Sequence, residues 1–223
     1  MSPHRRIATA LAVLAPALAS LGLGSCQSAY FATMEQFGYA KREILVDRVE
    51  DAKDEQKEAK EQFVSTYERF KSVTGIQGGK LEDTYKKLNG SYEDCDDQAE
   101  AVRSKIQSVE DVADAMFSEW KTEIGQYSDP ALKRASQDTF DKTKSRYADL
   151  IGSMKKASAS MDPVLSAFKD RVLFLKHNLN AQAINSLSET VVSIEGDVTK
   201  LIDNMQASIT EADEFLGAMK SNG

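Results

Sequence analysis

LEDTYKKLNGSYEDCDDQAEAVRSKIQSVEDVADAMFSEW, residues 81–120, carries its apolar side chains at Leu81, Tyr85, Leu88, Tyr92, Cys95, Ala99, Val102, Ile106, Val109, Ala113, Met116 and Trp120. The steps alternate four and three without a slip. Under-wound helices need that cadence to keep one stripe against a neighbour, whereas a strand needs alternation by two. The stretch closes at Tyr127, and Asp129-Pro130 then reads as a helix N-cap followed by proline at the first helical position.

The cadence repeats on both sides. Upstream it runs Leu45, Val49, Ala52, Gln56, Ala59, Phe63, Thr66, Phe70, Val73, and stops at Gly75-Ile76-Gln77-Gly78-Gly79, glycine-rich enough to reverse the chain. Downstream, Leu132, Ser136, Thr139, Thr143, Tyr147, Leu150, Met154, Ala157 and Met161 mark a third helix. Asp162-Pro163 interrupts it, because proline lacks an N–H and crowds the preceding turn; a kink is expected there, with a break as the alternative. Val164, Leu165, Phe168, Val172, Leu175 and Leu179 resume the pattern. After a turn near Asn178–Asn180, Ile184, Leu187, Val191, Ile194, Val198, Leu201, Met205, Ile209, Ala212 and Leu216 mark a fourth.

The fold class predicted is all-α, a long antiparallel up-down-up-down four-helix bundle, with helices at about 41–74, 80–127, 130–178 and 181–220. Short connections force sequential neighbours to be antiparallel. Pivoting the first hairpin near Gln77 sets Phe70 against Tyr85, Phe63 against Tyr92, Ala59 against Cys95 and Ala52 against Val102. An extended coiled coil that dimerises is the alternative.

The N-terminus has a different character. Arg5 and Arg6 precede a run of small apolar residues from Ile7 to Leu23, and Leu23-Gly24-Ser25 leads directly to Cys26. Charge, apolar run and small residues make a secretory signal. Its final thiol resembles a bacterial lipobox, in which the cysteine is acylated and the chain is cut just before it. An ordinary cleaved signal or an uncleaved anchor would compete, but a span needs about 20 apolar residues, and this one is Ala- and Gly-rich with Pro16 inside. The expected organisation is therefore a lipoprotein signal peptide over 1–25, a lipidated tether with an aromatic turn over 26–40, and the bundle over 41–221. Gln27 follows the cysteine where enterobacterial-type sorting would read Asp as inner-membrane retention, so the resemblance implies an outer-membrane lipoprotein facing the periplasm. Tyr30, Phe31, Met34 and Phe37 lie at helical spacing just after Cys26, and aromatic residues favour the headgroup zone. They are expected either to rest on the bilayer or to pack inside the near end of the bundle.

Composition narrows the partners. Of 28 basic residues, loss of the signal removes Arg5 and Arg6, leaving 26 against 35 acidic ones. A net charge of −9 argues against nucleic acid as a partner and against electrostatic adhesion to an anionic lipid surface. With Cys26 acylated, Cys95 has no internal disulfide partner, so packing alone must hold the fold.

Three runs carry a wider resemblance: CQSAYFATMEQFGYAKREILVDRVEDAKDEQKEAKEQF (Cys26–Phe63), GGKLEDTYKKLN (Gly78–Asn89) and MDPVLSAFKDRVLFLKHNLNAQAI (Met161–Ile184). The chain resembles, over nearly all its mature length, a family of bacterial lipoproteins catalogued as domain of unknown function 2959. The resemblance implies a lipoprotein and supplies no activity or site residues.

Candidate chemistry is thin. His177 is the one histidine after the signal, at a predicted helix C-terminus, and neither a triad nor a usual zinc site can be built around it from this sequence. Gly75–Lys80 fails as a phosphate loop, since Thr74 and Leu81 stand where glycine and Ser or Thr are required. Glu93, Asp94, Asp96 and Asp97 diverge around a continuous helix, whereas calcium needs six to eight converging oxygens. Cys95 sits in the seam, flanked by acids, and reads as a small buried apolar residue. No cofactor, metal or catalytic residue is expected. Val172-Leu173-Phe174-Leu175 is more apolar than one seam can bury, so Leu173 and Phe174, with His177 nearby, form a candidate partner patch; core packing is the competing reading. The function expected is a non-enzymatic, lipid-anchored periplasmic scaffold or adaptor with a protein partner. The alternative is a carrier whose interior holds a lipid or other apolar ligand.

Overall fold

Glu43 in the first turn and Arg69 and Lys71 in the last suit the dipole of α1, Lys41–Ser72, whose apolar stripe faces inward along its whole length. In the computed structural model, residues 41–73, 80–178, 180 and 192–221 are described. The chain divides into units Met1–Gly38 and Tyr39–Gly223, and every described residue belongs to the second. After α1 come α2, Leu81–Gln126, α3, Pro130–Ala159, and α4, Met161–His177. A single 3-10 turn, Val192–Ile194, leads into α5, Glu195–Ser221.

Cross-helix bonds fix the directions. Lys41 at the start of α1 pairs with Glu119 near the end of α2, at 3.0 Å, while Thr66 Oγ1 donates to the Ser91 carbonyl, at 3.3 Å. Arg103–Asp162 and Lys155–Glu110 run α2 antiparallel to the α3–α4 pair. Lys53–Asp213 and Lys60–Gln206 do the same for α1 and α5. Helix α5 also packs on α3 and α4, which closes the ring. This is an all-α, up-down-up-down four-helix bundle, with α3 and α4 together forming its third member.

The core follows the heptads. Leu45, Val49, Ala52, Gln56, Ala59, Phe63, Thr66, Phe70 and Val73 are all buried, as are Val198, Leu201, Met205, Ile209, Ala212 and Leu216. The α1–α2 register has Gln98 bonded to Glu55 and Lys105 to Asp51, within about a turn of the pivot at Gln77. Cys95, however, bonds Thr66 and not the methyl level of Ala59, one heptad further along α1.

Two features of the third member differ from the sequence pattern. Its first turns are shifted in phase: Thr139 and Leu132 are exposed, and Phe140 is buried in their place. The true stripe steps Ser136, Phe140, Thr143, Tyr147, Leu150. Phe140 sets its ring edge-on to Phe117 and Trp120, and Trp120 Nε1 donates to Ser136 Oγ at 3.0 Å. These aromatic contacts outweigh a small hydroxyl-bearing side chain at 139. The interruption is a single residue, Ser160, three positions before Pro163. Proline at 163 has no N–H for the Ala159 carbonyl, so the strain appears one turn upstream. There the Ser160 N–H bonds both the Lys156 and Ala157 carbonyls, and its Oγ caps Ala157 at 2.6 Å.

Candidate functional site

Cys26 and the aromatic group Tyr30, Phe31, Met34 and Phe37 lie outside the described residues, as do the Gly75–Gly79 turn and Ile184, Leu187 and Val191. The other predicted site residues can be placed. On α4 the heptad takes Val172 and Leu175 into the core and leaves Leu173 46 % and Phe174 45 % exposed. Four consecutive apolar residues on a helix cannot all face one way, so the run divides two and two. His177 is exposed on the last turn. Asn178 finishes the helix: its N–H bonds the Leu175 carbonyl and its side-chain amide the Phe174 carbonyl, at 3.1 and 2.9 Å. Leu173, Phe174 and His177 therefore share a capped helix end.

That end lies opposite Lys41. Phe168, one turn before Val172, stacks on Phe70 near the end of α1 with ring centroids 4.8 Å apart. At the other end, Lys41 meets Glu119, and Arg42 donates to the Met219 carbonyl in the last turn of α5.

The interior contains polar chemistry that the sequence showed only in part. Cys95 is fully buried, and its thiol donates to Thr66 Oγ1 at 3.2 Å. Burial, opposed by the Thr66 bond and reinforced by the Asp94 carboxylate, pushes the thiol up to about 11. Such a thiol is a poor nucleophile at neutral pH. Burial, with Glu110, Asp114 and Asp111 nearby, likewise holds the Tyr147 phenol above the ordinary tyrosine range. Gln56 is fully buried and neither its Nε2 nor its Oε1 finds a partner among the described residues; Ser208 Oγ is in the same position. The Lys53–Asp213 and Lys60–Gln206 bonds set Gln56 and Ser208 at nearly the same level of the α1–α5 face. Gln56 occupies a heptad position, so periodicity located it but could not reveal that its amide would be left unpartnered.

The carboxylates of the acidic cluster diverge as expected of a helix: Glu93, Asp94 and Asp97 are exposed and Asp96 is half-buried. Asn89 Nδ2 donates to Glu93 at 2.8 Å. The small seam residues Ala52, Ala59, Cys95 and Ala99 are all buried on α1 and α2, the most extensively packed pair of the bundle. No described helix is long and apolar enough to cross a membrane.

With this arrangement in view, the family can be stated. The family model described as Protein of unknown function (DUF2959) matches residues 30–219. The chain belongs to that family. The match takes in four of the five described helices whole and all of α5 but its last two residues. No curated protein and no solved structure matches this DUF2959 chain.

Proposed function

We propose that this protein is a non-enzymatic scaffold of the bacterial envelope, moored through an acylated Cys26 to the outer membrane and holding a protein partner at the far end of its bundle. The observation that carries the reading is the exposed pair Leu173 and Phe174 on a capped helix end opposite Lys41. Large apolar side chains held in water favour a partner that removes them from it, each by about 1.5 to 3 kcal/mol when fully buried. Lys176, His177 and Arg171 supply a polar border to the same helix end, as docking patches commonly have. The aromatic group at Tyr30, Phe31, Met34 and Phe37 would contribute the near-membrane contact.

A photocrosslinking residue in place of Phe174, in cells, tests the partner. The reading expects one discrete protein adduct that vanishes with Leu173→Ser. An adduct pattern no different from that of an exposed site such as Lys86 would overturn it. The carrier alternative has less in its favour, because Ala52, Ala59, Cys95 and Ala99 are consumed by close helix packing.

A further inference from the structure

The α2–α3 hairpin reaches beyond the rest of the described bundle. Lys41 pairs with Glu119, and the last turn of α5 lies beside Arg42, so the described α1 and α5 end near that level, while Ile124 beyond it is still buried. Helix α2 nonetheless continues to Gln126, about 10 Å further. Helix α3 returns from Pro130 and meets α2 at Ser136, whose hydroxyl accepts from Trp120 Nε1. The turn between them is capped. Asp129 Oδ1 accepts the Ala131 and Leu132 N–H groups at 2.7 and 3.3 Å, and Pro130 fixes the first helical residue.

This tip displays Leu132, at 56 % the most exposed large apolar side chain among the described residues, and Tyr127 at 43 %. Around them stand exposed Lys121, Lys133 and Arg134 against Glu123 and Asp129, a local balance of +1 in a chain of net charge −7. A tyrosine and a branched aliphatic residue rimmed by cations is the composition favoured where hydrocarbon meets headgroups.

We infer that the α2–α3 tip, through Tyr127 and Leu132, is a lipid-surface contact. The inference rests on the proposed mooring at Cys26. That residue stands 15 positions before Lys41 in the sequence, and Lys41 opens α1 at the same end of the bundle as the tip. A tether of that length spans at most about 50 Å when extended. The Lys41 end of the bundle, and the tip with it, would then lie within that reach of the bilayer. Two side chains alone bind lipid weakly; beside a tether they act at high effective concentration and orient the bundle.

The test uses the full chain reconstituted in vesicles of phosphatidylethanolamine and phosphatidylglycerol. Cys95→Ala removes the buried thiol, and a nitrobenzoxadiazole probe is attached at Ser128→Cys or, at the far end, at Lys176→Cys. The expected result is a several-fold rise in emission at the Ser128 site, quenched by headgroup-labelled lipid, and no rise at the Lys176 site. Adding Tyr127→Ser and Leu132→Ser should abolish the rise while the protein still sediments with vesicles and keeps its helical circular dichroism. Emission at the Ser128 site unchanged from solution, an equal rise at both sites, or a rise that survives the two serine substitutions would each overturn the tip contact. The mooring is read separately, from the mass of the N-terminal peptide. An unacylated Cys26 would overturn the mooring and with it the tip contact that rests on it, whereas an acylated Cys26 with an unchanged Ser128 signal would overturn the tip contact alone.

Discussion

Cys95 and Gln56 show how single side chains set the energetics of this interior. An unfolded chain loses the Cys95 proton near its ordinary value of 9.0 and the folded chain near about 11, so folding holds the proton longer. The stabilisation is whole below about pH 9 and drains away as pH rises towards about 11, about 2 to 3 kcal/mol in all. Cys95→Ala should therefore flatten the alkaline fall of unfolding free energy, measured by urea titration across that window. Parallel curves for the two proteins would contradict the assignment. Gln56 is the opposite case, an amide buried without a partner among the described residues. Gln56→Leu, close in volume, should raise stability by about 1 to 3 kcal/mol, seen as a higher urea midpoint at unchanged slope. A lower midpoint would mean that the amide is satisfied in solution, for instance by internal water.

Among the elements, the join between α1 and α4 is the most consequential. Phe168 is fully buried and stacks on Phe70 at 4.8 Å and on Phe63 at 6.4 Å, tying diagonal members of the bundle together. Phe168→Ala should cost about 3 to 5 kcal/mol by urea denaturation, a large part of a domain's usual total. A loss below about 1 kcal/mol would mean that the rings do not pack as described. Helices α1, α2 and α5 were legible because each keeps an unbroken stripe against two neighbours for most of its length. Helix α3 was misread over its first turns, where a long apolar residue such as Leu132 stays in solvent. There the choice of Phe140 over Thr139 was made by Phe117 and Trp120, which no local spacing reveals. The break at Ser160 was legible in cause but displaced by a turn, since proline acts on the carbonyl four residues before it.

For the whole molecule, the heptads fixed which residues meet, and the ends of the helices decided what is left over. The far-end pair Leu173 and Phe174 was legible as an apolar surplus, because no helix can turn four consecutive side chains inward. The exposed pair Tyr127 and Leu132 at the opposite end was not, because its exposure depends on which side chains reach the α2–α3 turn, and sequence spacing does not measure that. A scaffold moored at one end and engaged at the other requires first that it be moored. The direct measurement is fractionation of cells expressing the native chain or Cys26→Ala, with the mass of the mature N-terminal peptide determined in parallel. The account predicts a native chain that stays with membranes in high salt and begins at an acylated Cys26, and a variant released to the soluble fraction. A native chain beginning elsewhere, or a variant that remains in the membrane pellet, would contradict it.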